Sequence, residues 1–203
     1  MIYRLFLIFL FIFSPVTLQA KTILILGDSI SAAYGIPVEK GWVSLLEQRL
    51  LGQSKQHKVV NASIVGETTF GGVMRLPSLL DKHQPDIVVI ELGGNDGLMG
   101  ADLNDIEDNL LGMVNMAKQA NSDVLLVPMQ MPPNYGQKYT DAFTSIYADV
   151  AEKKNIPIAT FIYKNIAEVP GLMMSDGIHP VESAHPIMLD NLWPSLSVLL
   201  EKE

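Results

Sequence analysis

Two spacings of apolar residues alternate along the chain. Short unbroken apolar runs are followed by longer stretches in which apolar residues recur every third or fourth position. Thr22–Leu26, Lys58–Ala62, Asp86–Leu92 (DIVVIEL), Asp123–Met129 and Ile158–Phe161 are the short runs, and their β-branched content predicts buried strands. Between them, Trp42, Leu45, Leu46 and Leu50 share one helical face, as do Leu103, Ile106, Leu110, Met113, Val114 and Ala117. Ala142, Phe143, Ile146, Tyr147 and Val150 give another helix, and Met188, Leu189, Leu192, Leu196 and Leu199 a last one that contains Pro194. Thr68–Leu80 is a weaker helical stretch, interrupted by Gly71-Gly72 and Pro77. Met131–Gly136 (MPPNYG) must be a loop, because Pro132-Pro133 continues neither a helix nor a central strand.

Strands alternating with helices predict one α/β domain, a five-stranded parallel sheet covered on both faces. In such sheets a ligand sits beyond the carboxyl ends of the strands. Chemistry is therefore expected in Gly27–Ser31, Asn61–Thr68, Gly93–Gly97, Met131–Gly136 and Ser175–Pro180.

The first twenty residues follow neither spacing. Arg4 precedes an apolar run from Leu5 to Phe13, and the segment closes on Ala20. A basic start, a short apolar core and a small final residue predict a secretory signal over residues 1–20, leaving a mature domain at 21–203. The apolar run is too short for a comfortable bilayer span, so a periplasmic or secreted protein without stable membrane insertion is expected. The chain has 203 residues, 48% of them hydrophobic, which suffices for one sizeable core. Its formal net charge of −8 disfavours nucleic acid and anionic lipid surfaces as partners. With no cysteine, disulfides, thiolate metal sites and a Cys nucleophile are excluded.

The expected loops carry the chain's most distinctive residues. The first strand ends in Gly27-Asp28-Ser29-Ile30-Ser31, the third in Gly93-Gly94-Asn95-Asp96-Gly97, and the late loop reads Ser175-Asp176-Gly177-Ile178-His179-Pro180. A serine hydroxyl becomes a nucleophile when a base takes its proton, and histidine is the usual base, oriented by a carboxylate. Asp176 and His179, three apart in one turn, suit orienter and base. The backbone N–H groups of Ser29 and Gly66 and the Asn95 amide are candidate donors to an oxyanion. Asp28 and Asp96 are expected to brace their loops through backbone hydrogen bonds. His57 and His83 are expected to be solvated. Asp176, His179, His185 and Asp190 lack the further ligands a metal site needs.

GDSIS, Gly66 in VGET, GGND and DGIHP resemble, in order, the blocks of the SGNH (GDSL) hydrolase family, and the resemblance runs over residues 21–203. SAAYGIPVEKGW, NDGL and PPNYG are similar to its bacterial secreted thioesterase I/lysophospholipase/arylesterase branch. The resemblance implies a flavodoxin-like three-layer α/β/α fold. It implies Ser29 as nucleophile, His179 as base and Asp176 as its partner, with Ser29, Gly66 and Asn95 forming the oxyanion hole, and no metal or organic cofactor. The substrate implied is a small acyl ester or thioester; nothing demands an oligomer, so a monomer is expected. Met129, Met131, Met173 and Met174 flank the expected site, and a groove lined by Met131, Pro132, Tyr135 and Met173 would suit acyl chains. A carbohydrate O-acetyl esterase and a non-catalytic flavodoxin-like binding domain are the alternatives. His185 stands where relatives are expected to carry a non-ionisable or amide residue, and the sequence assigns it no role.

Overall fold

A computed structural model describes residues 20–52 and 56–202. All but the last residue of the expected secretory signal lies outside that range. The sheet has four parallel strands, β1 (Thr22–Gly27), β2 (Lys58–Asn61), β3 (Ile87–Glu91) and β4 (Asp123–Leu126), in the order β2-β1-β3-β4. The register pairs Ile25 with Val89 and Gly27 with Glu91, so β1 and β3 end side by side. β1 and β3 occupy the sheet's centre, and from Ile23 and Ile87 onward every residue of both is buried. That is why they read as unbroken apolar runs.

The helices are α1 (Trp42–Leu51), α2 (Thr69–His83), α3 (Gly94–Leu98), α4 (Leu103–Gln119), α5 (Gln137–Lys154) and α6 (His185–Glu201). α1 packs on α6, and α2 and α5 each pack on α4, giving the expected three-layer α/β/α arrangement. The buried faces of α1 and α4 are the predicted ones, with Trp42, Leu46 and Leu50 on the first and Ile106, Leu110, Met113, Val114 and Ala117 on the second.

Three elements differ from expectation. The fifth strand is reduced to a bridge between Leu126 and Ile158, where Ala159 N–H donates to the Leu126 carbonyl (2.8 Å). Pro157 has no N–H to extend the ladder toward its start, so four strands form, not five. α2 runs unbroken through Gly71-Gly72 and Pro77, because packing on α4 and the Thr68 hydroxyl at its start (Gly71 N–H to Oγ1, 3.2 Å) outweigh poor propensity. Gly94–Leu98, read as loop, is a single helical turn.

Candidate active site

Beyond Gly27 the chain folds back in a tight turn. Ala32 N–H donates to the Asp28 carbonyl and Tyr34 N–H to the Ser29 carbonyl, both at 3.0 Å. Asp28 Oδ1 accepts the Ile30 N–H at 2.9 Å, the loop brace expected of it. Ser29, 6% exposed, presents its hydroxyl to His179 Nε2 at 2.9 Å, across 150 positions of sequence. His179 Nδ1 meets Asp176 Oδ2 at 2.7 Å. Asp176 Oδ1 accepts the N–H groups of Ile178 (2.9 Å) and His179 (3.0 Å). The bond to the His179 ring, and after it these two N–H groups, hold the Asp176 carboxyl down at about 2. A carboxylate ionised at every working pH fixes the ring's Nδ1–H and leaves Nε2 free to take a proton from Ser29. The loop carrying His179 is itself pinned: Met174 N–H donates to the His179 carbonyl (2.7 Å), and Tyr163 Oη–H to the Ile178 carbonyl (3.1 Å). The Tyr34 ring lies against the imidazole, centroids 4.5 Å apart.

The expected oxyanion donors come from the adjoining strand ends. Asn95 is the second residue of α3, whose start is fixed by Gly93 at φ +111°. A side chain at position 93 would meet Tyr147 Oη at 2.2 Å, and that hydroxyl donates to the Leu92 carbonyl (2.9 Å). Both N–H groups of the Asn95 amide are engaged without substrate, by Asp28 Oδ2 (3.1 Å) and the Glu67 carbonyl (2.9 Å). Gly66, at φ +77°, precedes Glu67 and is thereby held next to Asn95. Its turn is clamped by Arg75, whose guanidinium binds the Glu67 carboxylate and the Ala62 carbonyl. Asn95 and Ser29 line the cavity described below, whereas Gly66 does not. Asp96 braces the start of α2, accepting the Thr69 N–H (3.0 Å) and hydroxyl (2.6 Å).

Two carboxyls lie beneath the serine. Burial pushes Asp28 up to about 6, partly opposed by the Ile30 N–H. Glu91, fully buried at the end of β3, is pushed well above the usual carboxylate range by burial, with Asp28's charge adding to the effect. Glu91 Oε2 accepts the Ser31 hydroxyl at 2.6 Å and the Asp28 N–H at 3.4 Å. The sequence pattern gave Glu91 no role; an ionisable residue closing a wholly apolar strand was the available signal.

A cavity of about 410 Å³ opens beside Ser29. Met131, Pro132 and Met173 line it as expected, joined by Met129, Phe161 and Tyr163. Tyr135 does not: its hydroxyl reaches back to the Leu98 carbonyl (3.0 Å), and it faces a separate depression with Leu103 and Ala142. The short helical turn Pro133–Tyr135 swings it away from the cavity. Phe161 closes the segment read as the fifth strand, which leaves the sheet after one bridge, and Tyr163 follows it by two positions; both line the cavity.

Among the described residues, no group of three or more His, Asp or Glu side chains could hold a metal ion. Asp190 pairs with Arg49 and His185 with the Trp42 backbone, so neither joins Asp176 and His179. His57 is buried rather than solvated, and its Nδ1 accepts the Lys21 N–H at 3.1 Å. Among the described residues, no helix is long and apolar enough to cross a membrane.

Residues 25–186 match the GDSL-like Lipase/Acylhydrolase family. The chain is 46% identical to "Esterase TesA" of Pseudomonas aeruginosa over 181 residues, covering 89% of this chain and 90% of that protein. It is 41% identical to "Thioesterase 1/protease 1/lysophospholipase L1" of Escherichia coli (strain K12), covering 91% and 87%. Its fold superposes on the crystal structure of the psychrotrophic esterase EstA from Pseudoalteromonas sp., inhibited by monoethylphosphonate, with a TM-score of 0.85 at 39% identity, covering 90% of this chain and all of that one. With matching blocks along nearly its whole length and the three-layer architecture around them, the chain belongs to the GDSL-like lipase/acylhydrolase family.

Proposed function

We propose that the protein hydrolyses carboxylic esters and thioesters through an acyl-enzyme formed on Ser29. The observation that carries this reading is the unbroken line from Ser29 Oγ to His179 Nε2 (2.9 Å) and from His179 Nδ1 to Asp176 Oδ2 (2.7 Å). Ser29 Oγ attacks the acyl carbonyl as Nε2 takes its proton. The imidazolium so formed faces the Asp176 carboxylate, which stabilises it. The carbonyl oxygen gains negative charge, met by the N–H groups of Ser29 and Gly66 and by the Asn95 amide. For the amide to serve, one of its N–H groups must turn from Asp28 or Glu67 toward the substrate oxygen. The alcohol or thiol leaves with the proton held on Nε2. Water then enters: its oxygen bonds to the acyl carbon as His179 Nε2 takes one of its protons, and Nε2 returns that proton to Ser29 Oγ as the bond to the acyl carbon breaks and the acid departs.

The cavity favours an aliphatic or aromatic acyl group over acetyl, since Met129, Met131, Met173, Phe161 and Leu98 give it an apolar lining. Flexible thioether side chains adapt to chains of different length. Secretion or export to the periplasm and a monomeric state belong to the same proposal.

The test is a panel of p-nitrophenyl esters, acyl-CoAs and lysophospholipids, with Ser29→Ala as control. Ser29→Ala is expected to fold normally, to lose turnover by about 10⁴-fold or more, and to resist labelling by a fluorophosphonate. Turnover near wild type in that variant overturns the assignment. Hydrolysis confined to acetylated sugars would replace the lipid-type reading with a carbohydrate O-acetyl esterase.

A further inference from the structure

The nucleophile and the base reach each other from opposite ends of the sequence, and one hydrogen bond between two loops would leave their separation poorly fixed. A buried polar connection runs beneath that bond. Glu91 Oε2 accepts the N–H of Asp28, the residue before the nucleophile, and the hydroxyl of Ser31, two residues after it. Ser31 Oγ also accepts the Trp42 indole N–H at 3.1 Å. The backbone N–H of that same Trp42 donates to His185 Nδ1 at 3.0 Å. His185 follows the base by six positions and opens α6. Glu91, Ser31, Trp42 and His185 are each no more than 1% exposed, so water cannot replace these bonds.

The role of His185 follows from the start of α1. The first N–H groups of a helix need acceptors, which a capping Ser, Thr, Asp or Asn normally supplies. Here the capping position is Gly41, with no side-chain acceptor. A Cβ there would lie 2.7 Å from the Ala33 Cβ, so the turn carrying the nucleophile excludes a capping side chain. His185 supplies the missing acceptor from α6. Its other ring nitrogen, Nε2, is buried without a partner among the described residues, so its polar work is done through Nδ1.

We propose that His185 is a positioning residue, which caps α1 through the Trp42 N–H and so ties the base loop to the nucleophile loop by way of Trp42, Ser31 and Glu91. Neither His185 nor Ser31 touches the substrate cavity, so both act through the Ser29–His179 distance. The inference rests on the catalytic reading of Ser29 and His179. The Ser29→Ala control tests that reading alone, whereas amide exchange of Trp42 tests the connection without any turnover.

The experiment compares His185→Leu, His185→Gln, Ser31→Ala and the double variant His185→Leu/Ser31→Ala on a p-nitrophenyl ester, with hydrogen exchange at the Trp42 amide and indole N–H read by NMR. His185→Leu is expected to lower kcat by roughly 10–100-fold with KM changed less than about threefold, because misplacement by a fraction of an ångström costs rate, not binding. His185→Gln, whose amide oxygen can accept the Trp42 N–H, is expected to keep kcat within about threefold of wild type. The double variant is expected to lose little more than the worse single variant, as for two links of one connection. The Trp42 amide exchanges faster in His185→Leu, and its indole N–H in Ser31→Ala. Equal losses in His185→Leu and His185→Gln, or additive losses in the double variant, would reduce His185 to packing and overturn the proposal. So would an unchanged Trp42 amide exchange in His185→Leu or an unchanged indole exchange in Ser31→Ala. If His185→Leu does not fold, Ser31→Ala and His185→Gln with the exchange measurement still decide it.

Discussion

At the level of single residues, the site is governed by which ionisable groups are kept charged. Asp176 stays a carboxylate because three N–H groups point at it. His185 is the opposite case: burial lowers it from 6.5 to about 4, the nearby Glu182 opposing only in part, so it accepts a hydrogen bond as the neutral ring. The consequence for stability has a definite sign. Between pH 6.5 and about 4 the unfolded chain binds a proton at His185 that the folded chain refuses, so this residue lowers stability as pH falls through that window. Asp28, raised from 3.8 to about 6, acts in the reverse sense over much of the same range, and so does Glu91. The wild-type curve therefore mixes opposing contributions, and a variant must separate them. His185→Gln is expected to gain stability relative to wild type as pH drops from about 6.5 to 4, measured as urea midpoints at several pH values. Parallel curves for the two proteins would count against a neutral His185. The sequence made the candidate site residues legible, because Ser29, Asn95, Asp176 and His179 stand in turns rich in glycine or proline at predicted strand ends. It hid Glu91, since a strand run scored for burial does not say which neighbour will meet its one carboxyl.

At the level of elements, the strands were legible where both faces are buried and fainter at the edge. β1 and β3 carry unbroken apolar runs, while the segment around Ile158 begins with a proline and adds one bridge. α3 was missed for a different reason. Its residues Gly94 and Gly97 are poor helix formers, and the turn exists because tertiary contacts hold it. One contact at its start is the Tyr147 hydroxyl, which donates to the Leu92 carbonyl beneath Gly93. Gly93→Ala would place a methyl group in that hydroxyl's volume and force a side chain into the left-handed region. It is expected to cost about 3 kcal/mol or more, a drop in Tm of roughly 6–12 °C, and to impair turnover by displacing Asn95. Tyr147→Phe in the same background removes the clashing oxygen, and calorimetry should show part of the stability returning. No recovery would mean that the strain at φ +111° outweighs the contact.

For the molecule as a whole, the cavity beside Ser29 is the proposed seat of the acyl group. Its lining comes from every loop at the carboxyl edge of β1, β3 and β4 and from the late segment, so no single stretch of sequence displayed it. Met131, Pro132 and Met173 were legible as apolar residues near the expected loops. Tyr135 carried the same signal and points elsewhere, because the short turn at Pro133–Tyr135 decides direction and composition does not. Enlarging Met173 to Trp is expected to lower kcat/KM for long-chain p-nitrophenyl esters by roughly 10–100-fold while butyrate hydrolysis stays within about threefold. A uniform loss over all chain lengths would indicate damage to the base loop rather than a shortened cavity.

The 150 positions between Ser29 and His179 also set a schedule. A ribosome adding about 5–20 residues per second delivers His179 roughly 8–30 s after Ser29. A chain that stops before His179 carries Ser29 without the imidazole that the proposed mechanism requires. On the proposed mechanism, hydrolytic power therefore waits for His179 however early Ser29 is made, and a copy cut short between the two is expected to be silent toward the acyl esters around it.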